Sequence, residues 1–158
     1  MMPIVLTRID DRLIHGQVMT AWVKFTQANR IMIIDEGVAK DPFMVKVLKM
    51  AAPPGIKVDI YDVEQAVEVL KENDSTNEKI IILVKHPVVI ETLLEKGIEI
   101  KKLNVGGMGA APGRKALYKN ISISKEEREI FQRILDKGTD IFIQIVPDEK
   151  EVDIKKFI

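Results

Sequence analysis

An α/β fold is predicted for this chain, a single domain with a mostly parallel central sheet, helices on both faces and a possible antiparallel edge strand. Three observations predict it. Short apolar runs of strand length alternate with segments of helical apolar spacing from end to end, the rhythm of strands joined by crossover helices. Two of the runs, the one between Arg30 and its closing acid Asp35 and the one at 80–84, are continuously apolar inside, which suits strands buried on both faces. The length of 158 residues supports one sizeable core, so 1–158 is read as one domain.

In chain order, Pro3, Ile4, Val5 and Leu6 make a buried strand. A charged loop follows, and then a helix over 17–28 with Val18, Ala21, Trp22 and Phe25 at helical spacing. Arg30 to Asp35 is the next strand, ending in an acid at its C-terminal edge. Asp41 before Pro42 is an N-cap and first helical residue, opening a helix that Pro53-Pro54-Gly55 stops, with Phe43, Val47, Leu48 and Met50 expected in the core. Ile56 to Tyr61 alternates as a strand, and Asp62 caps a helix with Val63, Ala66, Val67 and Leu70 on one side. A polar loop, 71–79, leads to the strand Ile80 to Val84. Pro87 then starts a helix that Gly97 closes.

A short strand at Leu103 to Val105 precedes the chain's one glycine-rich stretch, 106–115, read as a loop. Such a loop can cradle a phosphate with backbone amides, but it matches neither the dinucleotide fingerprint nor the P-loop, so it stands equally as a flexible connection or as a segment that closes over the site or contacts a partner. Asn120 to Ile123 is an expected edge strand. Ser124 and Glu127 form a capping box for a helix with Ile130, Phe131, Ile134 and Leu135 inward, ending before Gly138. Thr139 to Val146 is the last strand, and 148–158 a charged tail with Val152, Ile154, Phe157 and Ile158 available to dock.

Composition narrows the function. With 24 basic and 24 acidic side chains the formal net charge is zero, unlike the basic excess of a nucleic-acid binder. The absence of cysteine rules out disulfides and thiolate metal sites and suits a reducing cytoplasm. No apolar run approaches the roughly 20 residues of a membrane span, so a role in transport would be that of a peripheral subunit.

The chemistry concentrates in the loop carrying Arg8, Asp10, Asp11, Arg12 and His15. A helix beginning near Gly16 places His15 where free backbone N–H groups and the helix dipole attract anions. A neutral imidazole can act as a nucleophile toward phosphorus, and two guanidiniums can chelate phosphoryl oxygens. Asp10 or Asp11 can hold one ring nitrogen and leave the other free to attack. Asp35, His86, Gly106 and Gly107 border the same sheet edge in this reading. No metal or cofactor is required. Without further information, a lone histidine near a helix start is more often a cap, and Arg and Asp in one loop more often pair with each other.

The residues Arg-Ile-Asp-Asp-Arg-Leu-Ile-His-Gly-Gln-Val, 8–18, resemble the signature of the IIB component of the bacterial sugar phosphotransferase system, in its mannose, fructose and sorbose family. The similarity extends to Ile-Ile-Asp-Glu at 33–36 and Asn-Val-Gly-Gly-Met at 104–108. The resemblance implies a phosphocarrier. His15 would take a phosphoryl group from a phosphohistidine on the IIA component and pass it to a sugar entering through the membrane subunits IIC and IID. Arg8 and Arg12 would clamp the phosphoryl group, and Asp10 or Asp11 would orient the ring. The protein would be cytoplasmic, held at the inner face of the membrane by its partners; the sugar and any homo-oligomer stay open. The alternative is a receiver-like regulatory domain with an aspartyl phosphate site. It is disfavoured because Arg8 and Arg12 would repel the metal that paired acids hold.

Overall fold

Side chains alternate across a strand, and in Ile80 to Val84 every one is apolar, so the strand feeds two cores at once. Ile80, Ile82 and Val84 enter one apolar cluster, and Ile81 and Leu83 enter the other. The computed structural model, which describes residues 3–72 and 77–158, builds a sheet around that strand. In chain order the parallel strands are β1 (Ile4–Asp10), β2 (Arg30–Ile34), β3 (Lys57–Tyr61), β4 (Ile80–Val84) and β5 (Lys102–Gly107). A hairpin, β6 (Lys115–Tyr118) and β7 (Ile121–Ile123), precedes parallel β8 (Asp140–Ile143), against which the short β9 (Val152–Asp153) runs antiparallel. The main sheet has seven strands in the order β3-β2-β4-β1-β5-β8-β9.

Helices α1 (Gly16–Thr26), α2 (Glu36–Ala39) and α3 (Pro42–Met50) cover one face through Met19, Trp22, Val38 and Leu48. Helices α4 (Val63–Glu72), α5 (Pro87–Glu95) and α6 (Lys125–Asp136) cover the other through Ala66, Leu70, Ile90, Leu93, Phe131 and Ile134. The expected caps are present at Asp41, Asp62 and Ser124. The chain leaves β1 toward β2 and β3 over one face, then returns through β4 to β5 and β8 over the other. Connections from the C-terminal ends of neighbouring β1 and β5 therefore diverge, and that is where a doubly wound sheet opens a crevice.

Several expectations need correcting. The first strand does not stop at Leu6 but runs to Asp10, so Arg8 and Asp10 are strand residues and fully buried. The first helix spans 16–26, closed by Gln27 in the left-handed conformation, and its buried residues are Met19 and Trp22. That phase leaves Phe25 68% exposed. In α3 the Asp41 cap sets a phase in which Leu48 is buried and Met44 packs against the core, while Phe43, Val47 and Met50 face outward.

Gly106 and Gly107 close β5 instead of opening a loop. The stretch around 120–123 pairs with β6 in a separate hairpin, and the antiparallel edge comes from the tail. The tail docks through Ile154, fully buried, and Phe157, whose ring lies 5.0 Å from that of Tyr118. Of the polar stretch 71–79, residues 71 and 72 complete α4, and 73–76 lie outside the described residues.

Candidate active site

The loop after β1 is built by a tight turn and two apolar anchors. The Leu13 N–H donates to the Asp10 carbonyl at 2.9 Å, and Leu13 sits at φ 57°, a conformation that costs a non-glycine residue about 1–2 kcal/mol. Burial of Leu13 and Ile14 beneath α1 offsets that cost. The turn delivers His15 to the N-cap of α1 with extended backbone and no capping hydrogen bond from its side chain. The imidazole is thus free to turn back toward the strand, where Nε2 lies 3.1 Å from Asp10 Oδ2. Among the described residues its Nδ1 makes no hydrogen bond.

Asp10 is the hub. Its Oδ2 also accepts from Arg8 Nη2 at 3.1 Å and Arg12 Nη2 at 3.3 Å, while Oδ1 accepts from the Arg12 backbone N–H and Nε, both at 3.1 Å. Burial alone would push the carboxyl's pKa up. Hydrogen bonding from Arg12, the charge of Arg8 and the contact with His15 outweigh burial and hold it below the usual carboxylate range.

The two arginines differ. Arg8 is fully buried: Nη1 donates to Asn104 Oδ1 at 2.6 Å and to the Gln144 carbonyl at 3.0 Å, and the guanidinium carbon lies 5.3 Å from the Trp22 ring centre. Burial pushes its pKa down, opposed by the charge of Asp10. Arg12 keeps 47% of its side chain exposed. Two guanidiniums facing a phosphoryl group were expected, but only Arg12 reaches solvent, because alternation along β1 turns Arg8 under α1.

Gly106 and Gly107 explain how so much charge fits. A Cβ at Gly106 would overlap the Arg8 guanidinium, and one at Gly107 would lie 2.7 Å from Asp10 Oδ1 and 3.1 Å from Arg12 Nη2. Their role here is room for side chains, not a phosphate-cradling loop. Asp11 turns away from His15: its Oδ2 accepts from the Gly109 N–H at 2.8 Å and faces Arg114 Nη1 at 3.4 Å. Asp35 caps α2 at the end of β2, separated from β1 by β4. His86 is an exposed N-cap of α5, at the end of the strand beside β1. Asn104, Gln144, Trp22 and Arg114 were not expected at the site; strand alternation flags Asn104, since Leu103 and Val105 enter the opposite core.

The receiver-like alternative needs two carboxylates free for a metal. Here one is saturated by cations and the other points at Gly109.

Residues 4–158 match the family model of the PTS system sorbose subfamily IIB component. The chain is 39% identical to the PTS system sorbose-specific EIIB component of Lacticaseibacillus casei, over 97% of this chain and 93% of that protein. It is 32% identical to the PTS system mannose-specific EIIAB component of Escherichia coli, over 99% of this chain and 49% of that protein. Among solved structures, the IIBSor domain of the sorbose permease from Klebsiella pneumoniae superposes with a TM-score of 0.94 at 37% identity, covering 98% of this chain and 95% of that one.

Proposed function

The chain belongs to the sorbose subfamily of IIB components of the sugar phosphotransferase system, and on that premise we propose that His15 is its phosphoryl carrier, loaded at Nδ1. The observation that carries this reading is the Asp10–His15 contact. A carboxylate 3.1 Å from Nε2 fixes the tautomer that bears its proton there, which leaves the Nδ1 lone pair outward. In the transfer, Nδ1 forms a bond to phosphorus as the bond from phosphorus to the donor's nitrogen breaks. The proton on Nε2 stays in the hydrogen bond to Asp10, which stabilises the positive ring that results. Arg12 and the free N–H groups at the start of α1 meet the phosphoryl oxygens. Arg8 acts through Asp10, holding its carboxylate in place.

The donor is the phosphohistidine of a IIA component, and the joining of A and B in one chain in the mannose relative supports that pairing. The acceptor is a sugar delivered through IIC and IID membrane subunits, with this chain peripheral on the cytoplasmic side. Among the described residues no helix is long and apolar enough to cross a membrane. Relatives named for sorbose, mannose, N-acetylgalactosamine and fructose all align over nearly the whole chain, which supports sugar choice residing in the membrane subunits.

The test is to present phosphorylated IIA, freed of its own kinase, in excess chelator. Label is expected on His15, stable in mild alkali and lost in mild acid, with none taken up by His15→Ala and normal uptake by His86→Ala. Alkali-labile label, or label retained in folded His15→Ala, would overturn the assignment.

A further inference from the structure

Outside the Asp10 cluster, one half-buried polar network also reaches this loop. Arg114 leads from the 109–114 segment into β6, and only 10% of its side chain is exposed. Its Nε and Nη2 grip the two Glu127 oxygens at 2.9 and 2.8 Å, while Nη1 donates to the Gly109 carbonyl at 2.7 Å and faces Asp11 Oδ2 at 3.4 Å. Glu127 is itself fixed, because its side chain completes the capping box of α6 with Ser124. Asp11 in turn receives the Gly109 N–H and gives its own backbone N–H to the Gly107 carbonyl at 3.0 Å. Arg114 thus ties residue 11, adjoining the hub carboxylate, to a helix whose position is set by the core.

We propose that Arg114 is a positioning residue for phosphoryl transfer, acting through Asp11 to keep the 10–15 turn in the geometry that presents His15. This rests on the reading of His15 as carrier. Three features support it. The turn holds Leu13 in a left-handed conformation, so it needs restraint from both sides to persist. The clamp on Glu127 is bidentate and largely shielded from solvent, where such a pair fixes geometry well. Arg114 also meets both backbone polar groups of Gly109, the carbonyl directly and the N–H through Asp11, so the segment from Gly107 to Gly109 and the turn are set together. Arg114 plays no part in the proton or phosphoryl movement.

The experiment compares the parent with Arg114→Ala, Asp11→Asn and the double variant. One measurement is the single-turnover rate of phosphoryl transfer from IIA; the other is the nitrogen chemical shifts of the His15 ring in the unphosphorylated protein, which report the Nε2–H tautomer. Each single variant should slow transfer at least about tenfold, as loss of an outer partner of a working group does, and the double should be no slower than the worse single. The ring shifts should move toward the mixed tautomers of a free histidine in the same variants. Far-UV circular dichroism checks that α6 and the sheet are intact. Glu127→Gln, which keeps a capping side chain but loses the charge gripping Arg114, should fall between parent and Arg114→Ala in both readouts.

Parent-like ring shifts in folded Arg114→Ala would overturn the proposal, as would losses that multiply in the double variant. The ring shifts need no donor. If the parent accepted no phosphoryl group, the carrier reading would fall while the ring shifts still decided whether Arg114 positions the turn.

Discussion

Gly106→Ala adds one methyl group to a strand, yet the structure makes it one of the most costly single changes in the molecule. The new Cβ would occupy the space of the Arg8 guanidinium, which is fully buried and cannot swing into solvent. Either β5 shifts away from β1, breaking strand pairing, or Arg8 moves and loses contacts to Asn104, the Gln144 carbonyl and Asp10. Overpacking of this kind costs about 1–3 kcal/mol. A hydrogen bond to a charged group adds about 1.5–3 kcal/mol for each one lost. With even one such bond lost they come to at least about 2.5 kcal/mol, a large share of the roughly 5–15 kcal/mol that holds a domain folded. At about 2–4 °C per kcal/mol for a chain of this size, the melting temperature should fall by at least about 5 °C. The assay is urea unfolding followed by Trp22 fluorescence, beside Gly109→Ala, whose Cβ would meet only Asp11 Oδ2 at an ordinary 3.5 Å. That control should change stability by less than about 0.5 kcal/mol. Equal midpoints for the two variants would refute the claim that β5 lacks side chains there to make room for Arg8.

Two further predictions concern charge. Arg12→Lys keeps the positive charge but loses the planar fork, so transfer from IIA should slow about tenfold without stopping and with little change in stability; a parent rate in single-turnover measurements would place the phosphate contacts elsewhere. The depressed Asp10 carboxyl also predicts the acid limb of stability. Its folded pKa lies below the unfolded value of about 3.9, so the stability it contributes is fully present above that value and is lost as pH falls through the folded pKa. Glu127, also held low, because Arg114 and the Ser124 cap outweigh its burial, adds to the same limb. The urea midpoint should be flat from pH 7 to about 5 and decline below about 4; a midpoint that holds to pH 3 would contradict both assignments.

Much of the architecture could be read from residues in order, because it is written in local patterns. Continuous apolar runs marked β2 and β4, and Asp41, Asp62 and Ser124 marked helix starts through bonds to groups two or three residues on. The place of His15 at the start of α1, among charges, was legible too. What could not be read is set by partners distant in sequence. Whether Arg8 clamps a phosphate or supports a carboxylate depends on Asn104 and Gln144, 96 and 136 positions away. The choice between Asp10 and Asp11 depends on strand alternation at the end of β1, which the expected stop at Leu6 concealed. Helix phase was the other failure: Phe25, Phe43, Val47 and Met50 are as hydrophobic as Trp22 and Leu48, and only docking of the helix on the sheet separates them.

The division between Arg8 and Arg12 also follows from charge accounting at the site. Arg8, Arg12 and Asp10 together carry one net positive charge; under the proposed carrier reading the phosphoryl oxygens would bring close to −2 and the ring that keeps its Nε2 proton +1, a net change of about −1. A buried arginine paired with a buried carboxylate cannot answer that change, since breaking such a pair leaves an uncompensated charge in a medium that tolerates it poorly. Arg12 can answer it. Its half-exposed side chain is able to exchange Asp10 oxygens for phosphoryl oxygens while its backbone N–H keeps hold of Asp10 Oδ1. Asp10 then still has Arg8 and His15 on Oδ2, so the ring would not lose its orientation as the charge beside it changes. Under the proposed carrier reading, one fixed arginine and one movable arginine on a shared carboxylate would let a phosphoryl group come and go without rebuilding the turn that holds the histidine.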